Sequence, residues 1–128
     1  GTPATHDIGF GTENWDIGSN FDASTGIFTA PVTGKYFLNA NVRLNQVDTA
    51  IYYFRIIIGT SNRTFATIVP VSATYNSDPD FLNNQAVFIA DMDANDTAKV
   101  QYQAHAGAAQ VDVSSSAFES YFQGYLLG

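Results

Sequence analysis

Ten consecutive residues, Tyr36 to Asn45, alternate in a pattern that few folds accept. Tyr36, Leu38, Ala40, Val42 and Leu44 fall on one face of an extended chain, while Asn39, Asn41, Arg43 and Asn45 fall on the other. Successive side chains of a strand point to opposite faces, so period two marks a half-buried antiparallel strand. The same reading places strands at Thr64 to Val69, Gln85 to Ala90, Ala98 to Ala104, Gln110 to Val113 and Ser120 to Leu127. Between them lie Gly59–Asn62, Asn76–Asp80 and Asp91–Asp96, rich in Gly, Pro, Asn and Asp, which supply the conformations that tight connections need. Helical periodicity, internal repeats and linkers are missing. Many short strands with turn punctuation indicate a β-sandwich or jelly roll.

Ile51 to Ile58 reads differently, because only Arg55 interrupts its apolar and aromatic residues from Tyr52 onward. A sandwich strand needs one apolar face. The second face predicts cover from another sheet, a loop or another subunit.

A chain of 128 residues is the size of one domain and buries a core without staples. There is no cysteine, which removes disulfides and thiolate metal sites. Twelve acids against five bases give a net charge of −7, a poor surface for phosphate, so nucleic acid and anionic membranes are excluded as expected partners. No apolar run approaches the roughly 20 residues of a membrane-spanning helix, so no membrane insertion is expected. Gly1 to His6 lacks the basic and apolar regions of a secretory signal.

The segment Phe21-Asp22-Ala23-Ser24-Thr25-Gly26-Ile27-Phe28-Thr29-Ala30-Pro31-Val32-Thr33-Gly34-Lys35-Tyr36 resembles the opening signature of the complement C1q globular-head family, relatives of the tumour necrosis factor jelly roll. Asp96-Thr97-Ala98-Lys99-Val100 is similar to that family's Gly-Asp-x-Val segment, with Asn95 where Gly is usual. The ending Ser120 to Leu127 resembles its closing Ser-x-Phe-x-Gly-Phe-Leu-Leu strand. Segments such as Ser61–Phe65, Ala90–Ala94 and Gly107–Val113 look closer to C1q-like heads of phage tail fibres and environmental bacterial proteins.

The resemblance implies an all-β jelly-roll sandwich of about ten antiparallel strands, one domain over residues 1–128, with residues 1–7 as a loose terminus or stalk junction. It also implies a homotrimer. Tyr53, Arg55 and Ile57 of the doubly apolar strand, with Tyr121 of the last strand, are then the candidate trimer interface. The implied function is a non-catalytic trimeric head that binds a cell-surface glycan or protein receptor, extracellular or on a virion surface such as a tail fibre. A structural trimerisation cap of a fibrous stalk and a soluble lectin-like immune protein are the alternatives.

Candidate chemistry is sparse. Trp15, between Asn14 and Asp16, fits a sugar-stacking platform as well as a structural aromatic. Tyr75 with Asp78 and Asp80 forms a second candidate ligand-binding loop. Asp91, Asp93 and Asp96 invite a calcium reading, since carboxylates spaced by two converge oxygens on a hard cation. The EF-hand template fails there: its glycine position holds Asp96 and its bidentate glutamate position holds Tyr102. Calcium is therefore the one cofactor considered, beside none at all. His6 and His105, the two histidines, lack a nucleophile elbow or oxyanion-hole motif. Glu13 and Glu119 lie too far apart in sequence to read as a glycosidase pair. No catalytic residue is assigned, and the chain is not expected to be an enzyme.

Overall fold

The alternation of Tyr36–Asn45 grows, in a computed structural model, into the long strand around which one sheet is built. The structure describes residues 5–8, 21–22, 25–47, 51–74, 77, 80–105, 112–113 and 120–127. In chain order the strands are β1 (Thr5–Asp7), β2 (Phe21–Asp22), β3 (Ile27–Thr29), β4 (Gly34–Val47), β5 (Tyr53–Thr60) and β6 (Thr64–Val69). After one helical turn, α1 (Val71–Thr74), come β7 (Asp80–Met92), β8 (Thr97–His105), β9 (Asp112–Val113) and β10 (Tyr121–Leu126).

The strands form two antiparallel sheets. Sheet A runs β2-β3-β8-β5-β6, with β1 beside β8, and sheet B runs β10-β4-β7, with β9 beside β4. Between the sheets, β4 contributes Tyr36, Leu38, Ala40, Val42 and Leu44, and β7 contributes Leu82, Ala86, Ala90 and Met92. Phe28, Phe54, Ile56, Ile58, Ala98 and Val100 face them from sheet A, all buried. Aromatic pairs cross the gap, among them Phe21 with Phe122, Phe28 with Tyr36, and Phe65 stacked on Phe88 at 4.7 Å. Tyr36 is buried to its ring, and its hydroxyl is met by Val32, donating to the carbonyl oxygen at 2.6 Å. A buried phenol without that partner would carry the cost of an unmet polar group.

Three local expectations change. β7 begins five residues before Gln85, because Asn83, Asn84 and Gln85 stay in register with β4. Amides depress β-propensity, yet Asn83 and Gln85 find side-chain partners on β4. The helical turn α1 was not foreseen; Thr74 Oγ1 donates back to the Pro70 carbonyl at 2.6 Å, and Val71 is buried under it. Residues 5–7, expected in a loose terminus or stalk junction, pair with Gln103–Gln101 of β8. The reason is a free backbone edge: β3 covers only Thr97 and Ala98, and β1 takes up the stretch beyond.

Gly26, at φ 74°, holds the left-handed position of the turn between β2 and β3. Gly124 faces the core, where an added Cβ would lie 3.2 Å from Leu38 Cδ2 and 3.5 Å from the Phe28 ring. Leu38→Ala is expected to cost about 2–5 kcal/mol, seen as a lowered urea midpoint with unchanged slope. Ile68→Ala, on the outer face of sheet A, should stay within about 0.5 kcal/mol of the parent.

Candidate functional site

The outward residues of sheet B form a surface unlike the rest of the molecule. The strand register sets them in rows: Tyr125–Phe37–Ile89, then Gln123–Asn39–Val87, then Tyr121–Asn41–Gln85. Arg43 with Asn83, and Asn45 with Phe81, continue along β4 and β7. Val87 and Ile89 are 46% and 59% exposed, and Leu127 extends the apolar area past the end of β10. Tyr125 stacks on Phe37 at 4.9 Å. The three rows carry no charge, although the chain as a whole carries −7. The first charges met are Lys35 opposite Asp91 at one end, and Arg43, whose guanidinium lies over the Phe81 ring at 4.3 Å, at the other.

Amides occupy the centre of that face. Gln85 Nε2 donates to Asn39 Oδ1 at 3.0 Å, and Asn39 Nδ2 donates to Gln123 Oε1 at 3.3 Å. One step along β4, Asn41 and Asn83 exchange amide hydrogen bonds at 2.9 Å in both directions. Asn39 and Asn41 are only 8% and 7% exposed even though they face outward. Polar groups held that tightly survive burial because they are paired across strands.

The outward face of sheet A is different in character. Tyr53, Arg55 and Ile57 of β5 point there and are half-buried by their own neighbours. Arg55 Nη1 donates to Gln103 Oε1 at 3.4 Å, and its guanidinium lies 5.3 Å from the Tyr53 ring centroid. Asp7 accepts from Gln101 Nε2 at 2.7 Å, with Lys99 Nζ 3.4 Å away. The hydrogen bond from Gln101, and then the Lys99 charge, hold the Asp7 carboxyl below the usual range. Of the four candidate interface residues, only Tyr121 lies in the rows of sheet B.

At the end of the sandwich where β5 turns into β6 and β7 into β8, two of the three acidic residues, Asp91 and Asp96, are engaged. Asp91 is ion-paired by both arms of Arg63. Asp96 Oδ2 accepts from Asn62 Nδ2 at 2.9 Å and from the Asp93 backbone N–H at 2.9 Å, an Asx-type contact that shapes the turn. Asn95 sits at φ 75°, a position asparagine tolerates. Among the described residues no group of three His, Asp or Glu side chains converges as a metal site would require. Trp15, Tyr75 and Asp78 lie outside the described residues, and Asp80 opens β7.

The sequence reading missed Phe37, Val87, Ile89 and Tyr125. A signal was present: Ala86 to Ala90 is apolar on both faces, as is Ile51 to Ile58. Phe37 also breaks the polar side of β4.

The family model of the C1q domain matches residues 2–127. No curated protein is similar in sequence. A crystal structure of murine APRIL at pH 5.0 superposes with TM-score 0.67 at 16% identity, covering 96% of this chain and 88% of that one. The globular domain of zebrafish complement 1qA protein superposes with TM-score 0.61 at 15% identity, covering 96% and 85%. Both share the two-sheet jelly roll.

Hydrogen bonding and charge from Arg63 hold the Asp91 carboxyl below its ordinary pKa. A depressed carboxylate pKa adds stability above the unfolded value, which is lost as pH falls through the folded one. Both side chains are exposed, so that contribution is small. Arg63→Ala should raise the Asp91 pKa toward the ordinary carboxylate range in an NMR titration and leave the thermal midpoint at pH 7 nearly unchanged.

Proposed function

The chain belongs to the C1q domain family, and on that premise we propose that it is a non-catalytic homotrimeric recognition head for a cell-surface glycan or protein receptor. The observation that carries the reading is the uncharged, partly apolar outer face of sheet B, built from Phe37, Val87, Ile89 and Tyr125. Exposed apolar area of this kind, contiguous and framed by polar groups, is characteristic of a protein–protein surface. Copies of an acidic chain meet there without like-charge repulsion, because none of the twelve acids lies in those rows.

Assembly through sheet B moves the proposed interface from β5 to β4, β7 and β10, keeping Tyr121. It leaves the outer face of sheet A for a ligand, and Trp15, Tyr75, Asp78 and Asp80 stay the candidate ligand residues. Three weak sites on one rigid body bind a dense surface with avidity. A setting outside the cell, on a secreted protein or a virion fibre, suits that use.

Light scattering should give a mass of three chains, in calcium and in chelator alike. Ile89→Arg is expected to reduce the mass to one chain with an unaltered far-UV spectrum, and Ile57→Arg to leave three. On glycan arrays and whole cells, the monomeric variant should lose about a hundredfold or more in apparent affinity. A trimer that captures no surface glycan or protein would leave the structural cap of a stalk as its role.

A further inference from the structure

The cations of this acidic chain have unlike surroundings. Arg63 is paired with Asp91, and Lys99 lies 3.4 Å from Asp7. Arg55, in the middle of β5, is set differently. Its guanidinium meets the Gln103 amide oxygen at 3.4 Å and the Tyr53 ring centroid at 5.3 Å. Among the described residues no carboxylate pairs with it. In a chain of twelve acids and five bases, that is a local exception to the overall charge. Asp7, two strands away on the same face, is already matched by Lys99.

A guanidinium is planar, always charged and weakly hydrated, and its fork of N–H donors fits a carboxylate through two parallel bonds. One long bond to a neutral amide leaves most of that donor capacity unused.

The side chains around Arg55 suit a sugar. Tyr53, Arg55 and Ile57 share the outer face of β5, spanning about 13 Å from first to last. Tyr53 supplies a ring face at one end, and Ile57 supplies an apolar side chain at the other. Beside Ile57 the surface is low. Ala66 stands opposite it on β6, and nothing lies within 4 Å of a Cβ added at the next outward position, Gly59. Gln101 and Gln103 flank the row on β8 with amides of the kind that bond hydroxyls. Polar groups fixed beside aromatic and apolar side chains are what orient a small ligand.

We propose that the outer face of sheet A binds an acidic saccharide, its carboxylate held by Arg55 and its ring laid against Tyr53. This rests on the reading of the chain as a recognition head and names the class of sugar it takes. A lone arginine selects a single carboxylate. A polyanion needs clustered bases, and the net charge of −7 repels it.

The test uses the intact chain and two probe pairs on polyacrylamide, an α-sialoside and a β-glucuronide, each beside its carboxyl-reduced form. At least one acidic probe should bind about tenfold or more tighter than its reduced partner. Arg55→Lys keeps the charge without the fork and should lose about tenfold, whereas Arg55→Gln should lose the preference entirely. Tyr53→Ala should weaken binding of the acidic probe, and Arg63→Ala should bind as wild type does.

A second measurement needs no variant. The Arg55 Nε–Hε resonance of the wild-type chain should shift on titration with the free acidic methyl glycoside and stay in place with the reduced one. Failure of both acidic probes to bind, equal binding of acidic and reduced forms, or an unmoved Arg55 resonance would overturn the proposal. Attachment to whole cells that survives both Arg55→Gln and enzymatic removal of acidic sugars overturns it too, and leaves the recognition head standing. A wild-type chain that attaches to no cell and no glycan overturns both.

Discussion

Strand β4 is hydrogen-bonded on both sides, to β10 across Tyr36–Asn41 and to β7 from Gly34 onward. Its register is therefore fixed from two directions. A slip of one residue would carry Leu38 and Ala40 outward and bring Asn39 and Asn41 into the space between the sheets. Both of its faces would fail together, since the inner one fills the core and the outer one pairs the amides. The bulge between Asn45 and Val47 lies beyond the core-filling residues, where the register shifts without disturbing them.

The distribution of charge follows from that arrangement. Asp91, Asp93 and Asp96 sit at a sheet end, where Arg63, Asn62 and the turn backbone engage two of them. Asp7 lies at the edge of sheet A beside Lys99 and Gln101. The described acids Asp7, Asp91, Asp93 and Asp96 lie at ends and edges, and the middle of sheet B is neutral. Buried polarity there is carried by amides, which lose less on desolvation than carboxylates and pair with one another in either role.

How much of this was legible in the sequence varies with the range of the interaction involved. The period-two pattern gave the β4 core residues one by one, and Thr64–Val69 has the bounds expected of it. The family signature at Phe21–Tyr36 set the topology that periodicity alone leaves open. The start of β7 was hidden because Asn83, Asn84 and Gln85 look like turn residues until their cross-strand partners are known. The outer face of sheet B was hidden for a related reason. Whether Tyr53 and Ile57 or Val87 and Ile89 stay exposed depends on what lies beside them in the sheet, and spacing along the chain does not carry that. For β5 the neighbours are β6 and β8, whose side chains half-cover it; among the described residues β7 pairs with β4 alone.

That asymmetry gives the two outer faces different tolerance for change. A half-covered, hydrogen-bonded face such as sheet A's, with Arg55, Gln103, Gln101 and Lys99, keeps its polar groups solvated and tolerates change at single positions. The sheet B face tolerates less, because an altered Asn39 breaks hydrogen bonds to both neighbouring strands. Loops on a rigid scaffold diversify at low cost to the fold, and here the scaffold's demanding contacts are confined to three strands. The two outer faces lie on opposite sides of the sandwich, so a change on one need not disturb the other. The physical root is again β4: one strand, one register, with leucine and valine facing inward and asparagine outward.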